Sequence, residues 1–394
     1  MRKIILGIIF VLAILLLFPS CNYIQTNSDL KKEQNTLNNT KQNSDSEPSQ
    51  KSPSFLFIRM IEEAGWAFDN DRLFYTSDGG EYWDDITPDM DELDETSLEA
   101  HFYDENTGCI VAQDNGLTVE NHDAKSTTIF FTNSRGEKWE KSVIPSYYLG
   151  TDMSFIDSEK AWILLFQDSS LGIQKAELYK TENEGKSWVK VSDTEKEDGL
   201  HLGGNKEGIS FINENEGFVV SNRNIGTPDI SRTDDGGKTW RDGLDLSEEP
   251  GMDSSAQALK PVFFNKKDGI IPVSLNKSQT GNFDNIFYYT HDGGKNWEKS
   301  MPIQSKERIG QLDYFFINLQ VGWVITHEGI LYQTKNGGAN WIKIWESTGY
   351  ENIWCLNFVS DQIGWALADN KIIKTVNGGR SWKEVNSKIN TLEQ

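Results

Sequence analysis

Two phrases near the carboxyl end decide the fold: Phe358, Val359, Ser360, Asp361, Gln362, Ile363, Gly364, Trp365, and then Thr375, Val376, Asn377, Gly378, Gly379, Arg380, Ser381, Trp382. The second is one copy of T-x-x-x-G-x-x-W, which occurs seven times, starting at Thr76, Thr132, Thr181, Thr233, Thr290, Thr334 and Thr375. Successive starts lie 56, 49, 52, 57, 44 and 41 positions apart. The third place holds Asp78, Asn183, Asp235, Asp292, Asn336 or Asn377, and Ser134 in the remaining copy. A period of this length signals a repeat architecture rather than one undivided core.

Each copy follows an apolar run, such as Leu73, Phe74, Tyr75 or Phe287, Tyr288, Tyr289, which reads as a strand. The carboxylate or amide at the third place is expected to accept from backbone N–H groups two residues on and tighten a turn. Glycine then supplies a positive φ. The closing residues Trp83, Trp139, Trp188, Trp240, Trp297, Trp341 and Trp382 fall on the next strand as apolar lids. Asp78, Asp235 and Asp292 thus have structural work, which outweighs a metal or catalytic role. The first phrase recurs upstream of each box, as in Phe211 before Gly217-Phe218 and Phe315-Phe316 before Gly322-Trp323. Variants carry Gly65-Trp66, Gly108-Cys109, Ala161-Trp162 and Gly269-Ile270. Each unit therefore contains four strands, A to D, and seven units predict an all-β, seven-bladed β-propeller of four-stranded antiparallel blades.

The box resembles the Asp-box, or BNR repeat, of sialidases and related propellers. The fuller phrase resembles the photosystem II stability/assembly factor family. The similarity spans residues 54–388, with 389–394 left as a tail. It implies a binding protein that assists assembly or stability of a membrane-associated complex. It also implies an arginine-lined face, whereas this chain has few arginines and much acid.

Arg2 and Lys3 precede an apolar run from Ile4 to Phe18, too short to span a bilayer but suited to a signal-peptide core. Pro19, Ser20 and Cys21 follow. This resembles a bacterial lipoprotein signal, with residues 1–20 removed, Cys21 acylated (palmitate among its chains) and the protein held on the outer side of the cell membrane. Residues 21–53 are rich in Asn, Ser, Gln and Lys and read as a flexible tether. Cys109 and Cys355 fall in the second and seventh repeats and are expected as buried free thiols.

The formal charge is −22, which argues against nucleic acid as a partner. Acid gathers in the segments that should join strand D of one blade to strand A of the next, at Asp89, Asp91, Asp94, Asp198 and Glu248 among others. In such a blade the D–A and B–C connections share one rim of the ring, and the A–B and C–D connections share the other. The B–C loops at 113–127, 167–175, 221–230 and 275–285 are long, and those at 327–329 and 369–370 are short. Variable loops on a rigid scaffold are where recognition resides, so the D–A/B–C rim of blades one to five is the expected binding face. Its acidity would suit a cation or a basic protein segment. Tolerated insertion is the plainer account of the same loops.

Arg59, Arg223 and Arg308 invite comparison with the arginine clamp of sialidases, but the sialidase Phe-Arg-Ile-Pro phrase is missing, the chain reading Phe57, Ile58, Arg59, Met60. His101, His122, His201, His291 and His327 have no zinc-type spacing. No nucleotide or metal motif and no nucleophile elbow is found, so no cofactor and no metal are expected. Trp345 and Trp354 alone fall outside the repeat, either as an aromatic platform or as core. The reading is a monomeric, non-enzymatic binding propeller whose partner is a protein or glycan at the membrane surface. The alternative is a carbohydrate-active propeller, sialidase-like or another glycoside hydrolase, or a passive glycan-binding module.

Overall fold

A computed structural model describes residues 53–69, 72–90, 96–114, 126–146, 149–167, 169–170, 172–224, 226–246, 256–277, 281–350 and 353–390. The leader, nearly all of the tether, Cys21, Asp91, Asp94 and Glu248 lie outside them. The described chain is all-β: seven antiparallel sheets, each built on four consecutive strands, with no helix among these residues. The inner strands are Phe57–Ile61, Thr96–Phe102, Gly150–Phe155, Asn205–Phe211, a split pair Gln257–Ala258 and Val262–Phe263, Asp313–Phe316 and Ile353–Phe358. The inner strand of blade seven packs on that of blade one, so the ring is closed.

All seven boxes share a threonine cap on the glycine amide and a side-chain bond to the amide four residues past the third place. In the first, Asp78 Oδ1 accepts from the Thr76 hydroxyl at 2.8 Å and from the N–H groups of Glu81 and Tyr82 at 3.0 Å each. The Gly80 N–H donates to Thr76 Oγ1 at 3.2 Å. The acceptor therefore reaches three and four residues ahead, not two, because Thr76 already caps the nearer amide. Ser134 does the same work in blade two, where its Oγ takes the Lys138 N–H at 3.1 Å. Every box also donates one N–H to the A–B turn of its own blade, from Gly79 to Glu63 O at 2.7 Å through to Gly337 to Gln320 O at 3.1 Å. All seven hairpins thus sit on one rim.

Arg135 and Glu184 occupy left-handed positions (φ 61° and 59°) that glycine fills in other boxes. A side chain there costs about 1 kcal/mol or more. Glu184→Gly is expected to raise unfolding free energy by about 1 kcal/mol, read from the urea midpoint; no change or a loss would contradict the cost assigned to that backbone.

The Phe-to-Gly half of the phrase has an equally plain cause. A Cβ on Gly322 would lie 2.4 Å from the ring of Phe316, and on Gly364 2.5 Å from that of Phe358. The small residue lets the inner-strand ring lie flat on strand B. The aromatic after it then crosses to the next blade. Trp323 stacks on Phe358 at 3.7 Å and 1° and donates its indole N–H to Gly378 O at 3.1 Å. Trp162 stacks on Phe211 at 4.0 Å and reaches Gly236 O, and Trp365 reaches Gly79 O across the closing seam. Blade four has Phe218 in this place, with no N–H to give. There Arg232 lies over the Phe218 ring and donates to Gly293 O at 2.7 Å.

Neighbouring blades are tied near the axis by side chains on their inner strands and, in blade four, on strand B. Ser154 Oγ takes the Phe211 N–H at 2.8 Å, Asn357 Oδ1 the Met60 N–H at 2.9 Å, and Asn222 exchanges two bonds with the Ala258 backbone. Each such bond satisfies an amide that a closing ring would otherwise bury unpaired.

Three expectations change. The end of the chain does cross the seam: Lys388–Ile389 pairs in parallel with Tyr82 and Trp83 on the outer edge of blade one. Asn390 follows, donating to Trp83 O and Asp84 Oδ1, so the propeller runs past 388. Residues 275–285 are not a loop; most belong to two nine-residue strands, Gly269–Lys277 and Asn282–Thr290, stiffened by Ile303–Ser305 alongside. Cys109 is free and buried, but Cys355 is disulfide-bonded. Of the two readings left open for Trp345 and Trp354, core holds: both are half-buried and pack against it.

Candidate binding face

The rim opposite the boxes holds a cavity of about 550 Å³ over blades three to six. Its walls are the first residues of successive inner strands, which is why it opens at the mouth of the central channel. The charged lining is Asp152, Lys206, Glu207, Lys260 and Arg308. Gln167, Gln174, Asn205, Gln257 and Gln311 add carboxamides, and Phe166, Leu259, Leu312 and Tyr314 an apolar wall. Three cations face two carboxyls here, in a chain of net charge −22. The acidity expected of this face is not that of the cavity lining.

Local irregularity places these groups. Pro261 has no N–H and breaks the inner strand of blade five, so the residues before it bulge. Lys260 then passes across blade four to pair with Asp152 at 2.5 Å. The second Asp152 oxygen takes the Ile209 N–H at 2.7 Å. The pair lies over Gly208, where a Cβ would meet Asp152 Oδ2 at 2.4 Å and Lys260 Cδ at 2.8 Å. Gly208 adopts φ +141° beside a register shift that turns Glu207 into the cavity.

Burial pushes the Asp152 and Glu207 carboxyls above their usual range, with Lys260 opposing it at the first and the Asn222 hydrogen bond and Arg308 at the second. Burial also pulls the Lys206 ammonium down to about 8, against the charge of Asp229. Deeper in the seam between blades two and three, burial raises Glu99 to about 8 although it accepts from the Thr151 hydroxyl. Burial lowers His101 to about 3, helped by Lys260, and neither ring nitrogen has a hydrogen-bond partner. The sign follows. Glu99 favours folding below its usual 4.5 and ceases to as pH rises through 8, whereas His101 favours folding above 6.5 and ceases to as pH falls through 3.

The arginines do not gather in one cavity. Arg308 lines the mouth. Arg223 forms a two-pronged pair with Asp229 at 2.7 and 2.9 Å and lines a separate cavity of about 600 Å³ with His201 and Gly203. Arg59 is buried and lowered to about 10, with Asp104 acting against the burial. Asp89 is exposed beyond the outer strand of blade one. Asp198 is exposed on the outer flank, where its carbonyl accepts from the Trp240 N–H at 3.1 Å. Sequence reasoning missed Lys206, Glu207, Lys260 and Asp152. Pro261 inside a strand A was the available signal for the bulge. Among the described residues no cluster of His, Cys, Asp and Glu could hold a metal ion, and no helix is long and apolar enough to cross a membrane.

Fold and site together define a seven-bladed β-propeller with a polar cavity at one mouth. No family model and no curated protein matches the sequence. Solved structures do. YCF48 bound to a D1 peptide is similar at TM-score 0.53 and 16% identity over 84% of this chain and 93% of that one. YCF48 from Cyanidioschyzon merolae follows at 0.50 and 15%, over 83% and 97%. A GH74 xyloglucanase from Xanthomonas campestris is similar at 0.52 and 12%, over 84% of this chain and 53% of the enzyme. At these identities the likeness is one of fold, and at that level the resemblance read from the boxes holds.

Proposed function

We propose that this protein is a non-enzymatic, membrane-anchored binding propeller that takes an acid-bearing protein segment into the mouth cavity and helps assemble or stabilise a complex at the outer membrane surface of the cell. The observation that carries the reading is the reversal of charge: a cavity with three cations, two carboxyls and five carboxamides, set among acidic connections. Carboxamides suit peptide bonds, and Arg308 is exposed, with no ion pair or hydrogen bond from its guanidinium among the described residues. A similar propeller, YCF48, has been solved with a D1 peptide, which supports a peptide as occupant. The acidic surround would turn away wrong partners and leave the seat to a segment whose acid is matched one to one.

Arg308→Glu should weaken capture of synthetic acidic peptides by about tenfold, while Lys266→Glu on the box rim leaves it unchanged. Equal loss from both changes, or none from the first, would move the binding face elsewhere. Anchoring through Cys21 is tested by acyl labelling of Cys21→Ala and by intact mass before and after reduction, which separates a lipidated Cys21 from one held in a disulfide.

A carbohydrate reading draws support from the same carboxamides and from Glu207, a raised carboxyl near Asp152. Both oxygens of Asp152 are engaged, on Lys260 and on the Ile209 N–H, which leaves it poorly placed to activate water. Hydrolysis of labelled glycans that Glu207→Gln abolishes would establish that reading instead.

A further inference from the structure

The charged groups around the mouth cavity are not equally available. Lys206 turns its Nζ toward the second cavity, donating to Gly203 O at 3.2 Å and Gly204 O at 3.3 Å. Lys260 is spent on Asp152, whose other oxygen takes the Ile209 N–H. What remains is one cation, Arg308, and one carboxyl, Glu207. Neither forms an ion pair among the described residues, although each lies within reach of the other's charge. Both are held in place. Glu207 is turned inward by the register shift beside Gly208, and its carboxyl is hydrogen-bonded by the Asn222 side chain, itself anchored twice on Ala258. The backbone at Arg308 is pinned by two buried side chains of blade five. Ser274 Oγ and Asn285 Oδ1 accept the Ile309 N–H at 2.6 and 2.8 Å, and Asn285 Nδ2 donates to Glu307 O at 3.0 Å. Arg308 O in turn accepts from the N–H groups of Gln311 at 3.0 Å and Leu312 at 3.2 Å. A buried polar network so well satisfied fixes the loop that carries the arginine. Two unlike charges are thus presented to one cavity, neither neutralised by a salt bridge.

We infer that the mouth cavity selects a dipolar segment, in which an acidic residue seats on Arg308 and a lysine or arginine close to it in the partner's chain seats on Glu207. Arg308 alone would accept any acid. Glu207 is the specificity-determining residue, because an acidic segment without a cation leaves that carboxylate facing uncompensated negative charge. Carboxamides of the wall, Gln257 and Gln311 among them, suit the peptide backbone between the two charges. The inference rests on the peptide reading of this cavity and adds what the peptide must carry.

The test titrates the full chain, in detergent, with synthetic peptides blocked at both ends, followed by calorimetry. One set carries Asp with Lys adjacent to it or a residue or two further on; the matched set carries Gln in place of Lys. At low salt the best-spaced Lys peptide should bind about tenfold tighter than its Gln match. Glu207→Gln, which keeps an acceptor for Asn222, should erase that preference, and Arg308→Met should weaken both sets. Burial holds the Glu207 carboxyl above its usual range, with the Asn222 hydrogen bond and Arg308 opposing and Asp152 adding to it. The preference should therefore widen as pH rises from about 5 to about 8 and the carboxylate forms. Lys and Gln peptides binding equally to the unaltered protein, or a preference that survives Glu207→Gln, would overturn the inference and leave peptide capture standing. Binding of neither set would overturn both. If Glu207→Gln does not fold, the unaltered protein decides, and a preference that stays flat with pH overturns the inference.

Discussion

Lys260→Met is expected to cost about 3–5 kcal/mol of folding free energy, measured as a fall in the urea unfolding midpoint, because it leaves the Asp152 carboxylate buried without its cation. Asp152 is almost wholly buried and Lys260 mostly so, and the pair spans three blades at the channel mouth. The double change Asp152→Asn with Lys260→Met should recover most of that loss, since it removes the uncompensated charge and keeps an acceptor for the Ile209 N–H. The single change costing less than about 1 kcal/mol would mean that water reaches the pair and screens it. The double mutant also tests the binding face, because stability recovered without capture recovered separates holding the ring from holding a partner.

The second large effect belongs to the seams. Trp323→Ala should destabilise by about 3–5 kcal/mol, as removal of a fully buried aromatic does. Trp323→Phe, which keeps a ring over Phe358 and loses only the N–H to Gly378 O, should cost about 1–2 kcal/mol. Calorimetry or urea unfolding of the two variants separates stacking from the hydrogen bond; equal losses would show that the bond, not the stack, holds the seam. Blade four is a natural version of the phenylalanine variant. Phe218 stacks on Phe263 at 5.6 Å, and the missing donor returns as Arg232, whose guanidinium also bonds Glu216 and Asp234. A buried cation so fully engaged is a costlier solution than an indole, and it keeps this seam of blade four closed without one.

The ring was legible because its rules are local. Thr, Asp and Gly close a hairpin within eight residues, and Phe and Gly meet across two adjacent strands, so period alone counts the blades and assigns the rims. The seams were half legible: the indole after glycine marks them, but nothing near Phe218 in sequence announces that Arg232 will stand in. The site was least legible, since its residues come from four blades and its key contact joins positions 108 apart. Charge counted along the chain misled for the same reason. Asp89 and Asp198 stand exposed and apart from the cavity, while single basic residues with no local pattern converge at its wall. The closing strand was invisible because Lys388 and Ile389 carry no strand signature of their own; the open edge of blade one gives them one.

That closing strand sets a timetable. The bonds across the last seam join residues 286 to 311 positions apart. A chain emerging amino end first presents its opening blade long before the partners for its edges exist, and for that interval the Met60 N–H and the edge at Tyr82 are bare. Until the final segment clasps on, the nascent wheel is an arc with two sticky ends, a state in which a holding chaperone would matter more than at any later moment.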